Sequence, residues 1–229
     1  LTWHLQLPEF SKHFTAVAWD ARGYGGSDDY DGDLDFSDFA RDLERVLDHF
    51  GAKKAHICGT SMGGRIAQDF MALYPERVAT LVLCDTFAGD DENDVRASRS
   101  QTIEEFVETR IRPFLDGADP AEVAQKRGGR LMAPVHSADA SRRAIEASSQ
   151  LHVESYIKTV RASAAFSRVD NLENIDVPTL LLFGEEDPLT PPTVAAYMLE
   201  HIAGAELVII EKAGHMPYLE RPDAFNRAV

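Results

Sequence analysis

Apolar residues recur along this chain in two rhythms. One is the short, nearly continuous run bounded by polar or turn residues: His13 to Trp19, Ala55 to Cys58, Val78 to Cys84, Thr179 to Phe183 and Glu206 to Ile210. The other is helical. Phe36, Phe39, Ala40, Leu43, Val46, Leu47 and Phe50 fall on one face of a 3.6-residue period. That helix is expected to stop at Gly51, a residue suited to the left-handed position past a helix end. Helices are also predicted over Met62 to Tyr74, ahead of Pro75, and over Thr193 to Ile202. Strands without polar alternation, separated by helices, predict a mostly parallel sheet covered on both faces.

The rhythm breaks once. From Phe87 to Asp176 the pattern yields no strand, only helices at Ile103 to Leu115, Pro120 to Lys126, Ala138 to Ser149 and Val153 to Ala164. Such a stretch is too long for a loop. The expected organisation is an α/β core formed by 1–86 and 177–229, with a helical insertion over 87–176.

Composition narrows the class. The chain has 229 residues, 44% apolar, and a formal net charge of -15. That charge argues against nucleic acid or an anionic membrane as partner, since both select a basic surface. No apolar run reaches the roughly 18 residues of a membrane span, and Leu1 to Leu5 lacks the features of a secretion signal. Acidic clusters at Asp28-Asp29-Tyr30-Asp31 and Asp90-Asp91-Glu92-Asn93-Asp94 read as solvated loops. The two cysteines, Cys58 and Cys84, have no metal-ligand spacing; they read as buried thiols of a reducing, cytoplasmic compartment.

The chemistry concentrates at three places. Gly59-Thr60-Ser61-Met62-Gly63 fits G-x-S-x-G and lies between a predicted strand and a predicted helix. In that context the glycines permit a tight turn that lifts Ser61 clear of the sheet, and the backbone N–H of Met62 faces the place where an oxyanion would form. Of eight histidines, His215 stands in the loop after the last predicted strand, where open parallel sheets build their sites. Two acids compete to orient it. Asp187 follows the Thr179–Phe183 run, and Asp85 follows the Val78–Cys84 run. Asp187 is favoured because it keeps the chain order Ser, Asp, His and sits in a turn stiffened by Pro188 and Pro191. Ser61 as nucleophile, His215 as general base and Asp187 as orienting acid divide the labour that acyl transfer requires.

With Asp20-Ala21-Arg22-Gly23-Tyr24-Gly25-Gly26-Ser27, the Ser61 turn, Pro75-Glu76-Arg77-Val78, Gly184 to Pro191 and Gly214-His215, the chain resembles the serine branch of the α/β-hydrolases. Within that superfamily it looks most like 3-oxoadipate enol-lactonases and their relatives. The resemblance implies a lid built by the insertion, and no cofactor or metal. It also implies a second oxyanion N–H from a His-Gly loop upstream of Leu1, so the chain is expected to lack the first sheet strands and to be a piece of a longer hydrolase.

The expected activity is hydrolysis of a carboxylic ester or lactone of a small organic substrate, with water as co-substrate. Carbon–carbon bond hydrolysis on the same triad is the alternative. A non-catalytic binding protein is the alternative from another class, and loss of a triad member would mark it. An anionic lactone would need a local cation against the net charge, with Arg22, Arg65 and Arg130 as candidates. Oligomeric state is left open.

Overall fold

The computed structural model describes residues 2–89 and 102–229; the Asp90–Asp94 cluster lies outside them. After a short helix α1 (Gln6–Phe10), the core runs α2 (Asp38–His49), β1 (Ala55–Thr60), α3 (Met62–Leu73) and β2 (Val78–Cys84). Among the described residues four helices follow: α4 (Ile103–Leu115), α5 (Pro120–Gly128), α6 (Ala138–Ser149) and α7 (Val153–Ala164). The chain then returns to the core with β3 (Thr179–Gly184), α8 (Thr193–His201), β4 (Glu206–Ile210), α9 (Pro217–Glu220) and α10 (Pro222–Ala228).

The four strands among the described residues form one sheet in the order β1-β2-β3-β4, and all three pairings are parallel. Alternation within the strands assigns the faces. Leu81, Leu83, Leu181 and Phe183 point to one side, where they meet Leu43 and Leu47 of α2, Phe70 of α3 and Met198 of α8. Cys84, Leu182 and Ile210 point to the other, against Tyr218, Leu219 and Phe225 of α9 and α10. Burial on both faces is why the two central strands, β2 and β3, read as unbroken apolar runs.

Local signals set the helix ends. Gly51 has φ +64°. Its N–H donates to Asp48 O at 3.0 Å and that of Ala52 to Leu47 O at 2.9 Å, the paired bonds of a Schellman stop to α2. At the start of α4, Thr102 and Glu105 exchange side-chain-to-backbone bonds in a capping box.

Two expectations need correction. His13 to Trp19 forms no strand. The segment is largely exposed, with Phe14 and Val17 open to solvent and Phe14 set edge-on to His56 of β1. An apolar run becomes a strand only when a neighbour completes its ladder, and among the described residues no strand pairs with this one. The cysteines also differ from each other: Cys84 is buried, whereas Cys58 is exposed on the edge strand β1.

Candidate active site

The turn between β1 and α3 is crowded enough to dictate its residues. A Cβ on Gly59 would lie 2.2 Å from Gly63 O, and one on Gly64 would lie 2.5 Å from the Thr86 side chain. Ser61 itself takes φ 52°, ψ -118°, a region that L-residues rarely occupy and that surrounding structure must enforce. The enforcement is visible: Ser61 N–H donates to Cys84 O at 2.9 Å, and Thr86 Oγ1 donates to Ser61 O at 2.7 Å. Met62 opens α3, so its N–H is one of the first-turn donors that a helix leaves without an internal acceptor.

Asp187 and His215 meet at the ends of β3 and β4. Asp187 Oδ2 lies 2.7 Å from His215 Nδ1, and both side chains are buried. Asp187 is held from the other side as well. Its Oδ1 accepts the N–H groups of Leu189 at 2.7 Å and Thr190 at 3.1 Å, and its Oδ2 accepts Thr190 Oγ1 at 2.6 Å. Burial pushes the Asp187 carboxyl up, but the His215 bond and charge, then Thr190 and Leu189, outweigh it and leave the group below its ordinary value. Thr190 thus anchors the acid, a role that one threonine within a proline-rich turn does not announce in sequence. Glu185 and Glu186 point outward; Glu185 Oε2 accepts the Lys212 N–H at 2.9 Å.

Asp85 is placed differently. Its backbone is left-handed at φ 44°. Its Oδ1 accepts Gly184 N–H at 2.8 Å, and Cys84 Sγ lies 3.1 Å from its Oδ2. Burial, then the nearby Asp187 charge, raise its pKa well above the carboxylate range, with the Gly184 bond acting against them. An unfolded Asp85 loses its proton near pH 4; the folded one keeps it. Its contribution to stability is therefore full below about pH 4 and is lost as pH rises toward the folded value. Asp85→Asn is expected to remove that loss. Between pH 5 and pH 8 the melting temperature of the wild type should fall further than that of the variant. Parallel melting curves would mean that Asp85 is ionised in the native protein.

Ser61, Met62 and His215 line one cavity of about 260 Å³, the size for a small ligand. Tyr24 from the Asp20–Ser27 loop also lines it, as do Phe106 and Arg110 of α4 and Tyr156 of α7. The loop is joined to the inserted helices through backbone bonds from Gly25 N to Gln150 O at 3.0 Å and from His152 N to Gly23 O at 3.1 Å.

The expected cations fall elsewhere or are engaged. Arg22 is paired to Asp42, with bonds of 2.6 and 2.7 Å. Arg130 is exposed and does not line the cavity. Arg65 does line it, with its guanidinium bonded to Ser163 Oγ and to the carbonyls of Ser163 and Phe166. Arg110, which sequence reasoning passed over, lines the cavity, stacks over Phe106 at 5.1 Å and forms no ion pair with any described residue. His136 stays out of the cavity, with Nδ1 2.6 Å from Ala133 O. Among the described residues no His/Cys/Asp/Glu group is arranged to hold a metal, and no helix is long and apolar enough to cross a membrane.

Comparison with known proteins agrees with this architecture. A family model described as alpha/beta hydrolase fold matches residues 2–222. 3-Oxoadipate enol-lactonase 2 of Acinetobacter baylyi is 28% identical over 99% of this chain and 81% of its own length. A 2-hydroxy-6-oxononadienedioate/2-hydroxy-6-oxononatrienedioate hydrolase of Klebsiella pneumoniae is 30% identical over 94% of this chain and 75% of its own length. The structure of a thermophilic esterase from Thermogutta terrifontis superposes with a TM-score of 0.85 at 27% identity, covering 99% of this chain and 82% of that one. The chain belongs to the alpha/beta hydrolase fold family, as an enzyme of its hydrolytic kind.

Proposed function

We propose that this protein is a serine hydrolase that cleaves a carboxylic ester or lactone of a small substrate through an acyl-enzyme. The observation that carries the reading is the Asp187–His215 pair at 2.7 Å beside a strained Ser61 on the wall of the same small cavity. Ser61 Oγ adds to the carbonyl carbon while His215 Nε2 takes the hydroxyl proton. Asp187 holds Nδ1–H and stabilises the imidazolium that forms. The Met62 N–H donates to the oxyanion. Collapse expels the alkoxide or enolate, which takes the proton from His215. Water then repeats the sequence on the acyl-enzyme, freeing the acid and restoring Ser61. No cofactor or metal enters this cycle. The inserted helices α4 to α7 act in it as a lid, supplying Arg110 and Tyr156 to the cavity wall.

The substrate we favour carries a carboxylate away from the scissile bond. Arg110 supports this as an arginine on the cavity wall with no acidic partner among the described residues. The names of the Acinetobacter and Klebsiella relatives both specify substrates of the dicarboxylate series. The Klebsiella likeness also keeps carbon–carbon hydrolysis as a second reading.

A substrate panel tests all of this: p-nitrophenyl acetate, the p-nitrophenyl monoester of glutaric acid, a neutral and a carboxylated lactone, and a vinylogous diketone acid. Esters or lactones should be turned over. Preference for the diketone would favour the second reading, and no turnover of any of them would refute the proposal. Arg110→Ala should raise KM for the carboxylated ester about 10- to 100-fold, the loss expected for one charge-assisted hydrogen bond. It should leave the acetate unchanged. Equal effects on both esters would dissociate Arg110 from carboxylate recognition.

A further inference from the structure

Glu220 is a buried carboxylate that the reaction cycle above does not use. It lies at the end of α9, five residues past His215 and 5% exposed. Its oxygens accept three backbone N–H groups. Gly214 N lies 3.1 and 3.0 Å from the two oxygens, Met216 N lies 3.1 Å from Oε1, and Ala133 N lies 2.8 Å from Oε2. Gly214 and Met216 flank His215, and the His215 N–H itself donates to Leu131 O at 2.7 Å. The three consecutive amides that carry the histidine are thus each fixed, two by Glu220 and one by Leu131.

The partner stretch belongs to the inserted helices, between α5 and α6. Contact there is backbone on backbone. A Cβ on Gly214 would lie 2.5 Å from Ala133 N and 2.7 Å from Leu131 O. Leu131 also lines the cavity. Burying a carboxylate is costly unless several donors meet it. Here the donors come from both sides of one joint, so the charge is satisfied only when the histidine loop and the 131–133 stretch are together.

We propose that Glu220 is a positioning residue for His215, and that it welds the histidine loop to the 131–133 stretch so that base and cavity wall move as one unit. The proposal rests on the reading of His215 as general base. Proton transfer tolerates misplacement of only a few tenths of an ångström, and a shift of about 1 Å can cost on the order of 10²-fold in rate.

The test is Glu220→Gln in the full chain, assayed with p-nitrophenyl acetate. Gln keeps the shape but turns one acceptor into an NH2 that faces an N–H. We expect kcat to fall about 10- to 100-fold with KM within threefold. The downfield proton resonance of the His215–Asp187 hydrogen bond should weaken in parallel, in protein of native circular dichroism. Arg221→Ala serves as control, because it removes the guanidinium bonds to Val135 O and to the Glu220 backbone carbonyl and leaves the Glu220 carboxylate with its three N–H donors; its kcat should stay within twofold. A folded Glu220→Gln enzyme with wild-type kcat and an unchanged resonance would overturn the positioning role.

Hydrogen exchange on the wild type gives a measurement that needs no variant. Peptides covering 129–136 and 211–219 should open together, with protection within threefold of each other. A tenfold difference would break the weld. His215→Ala, run alongside, separates the two ideas. If it is active, the base reading fails and takes the positioning role with it. If it is inactive while Glu220→Gln is unimpaired, only the positioning role fails.

Discussion

Ser61→Ala should lower kcat for ester hydrolysis by about 10⁶-fold, the scale on which removing the nucleophile of a serine hydrolase acts. The fold should survive. The turn is held by Gly59 and Gly64 and by backbone bonds of Ser61 to Cys84 O and from Thr86 Oγ1, none of which involves the serine hydroxyl. Alanine is no freer than serine at φ 52°, ψ -118°, so the variant neither relieves nor adds backbone strain, and its melting temperature should stay within a few degrees of wild type. A fluorophosphonate should label the wild-type protein at Ser61 alone, and peptide mass spectrometry of the adduct would show it. Activity of the alanine variant within tenfold of wild type would sink the assignment of Ser61.

Asp187→Asn should lower kcat by about 10⁴-fold, and Asp85→Asn by less than tenfold. The first figure is the loss known when a triad aspartate becomes an amide. The present geometry explains why it applies here. Oδ1 of Asp187 receives two backbone N–H groups, from Leu189 and Thr190. In the Asn variant the carbonyl oxygen must stay at that position, because an NH2 there would face two donors. The NH2 is therefore forced toward His215 Nδ1, which must then accept. That places the ring proton on Nε2, where it cannot take the proton of Ser61. Asp85 has the opposite situation. Its bonds are from the Gly184 N–H to Oδ1, an acceptor that asparagine retains, and from the Cys84 thiol to Oδ2; neither involves His215. Measured kcat values for both variants with one ester decide the matter. A larger loss at Asp85 than at Asp187 would overturn the assignment of the acid.

Much of the molecule is legible in the amino-acid sequence. The boundaries of β2, β4, α4, α6 and α7 coincide with the apolar patterning to the residue, because period and capping are local properties. Gly51 stops α2 for the same local reason. The Ser61 turn is legible too, since Gly59 answers a clash with Gly63 a few residues along the chain, whereas Gly64 answers one with the distant Thr86. What patterning could not do was settle contacts made across the fold. Asp85 and Asp187 both follow parallel strands that end at the same sheet edge, and only the bond partners of each carboxylate tell them apart. Arg22 and Arg130 were as plausible as Arg110 along the chain, but an arginine meets a cavity or an aspartate according to how helices pack. His13 to Trp19 carries the apolar signature of a strand, yet a ladder is a property of two segments and needs a neighbour. Glu220 is the clearest case. Its spacing from His215 is unremarked in sequence, and its meaning comes from Ala133, 87 positions away, because a buried charge is stabilised by whichever donors the tertiary structure brings to it. Elements, turn and the order of the reactive residues follow from local chemistry along the chain; which polar groups share a low-dielectric interior follows from how distant segments pack.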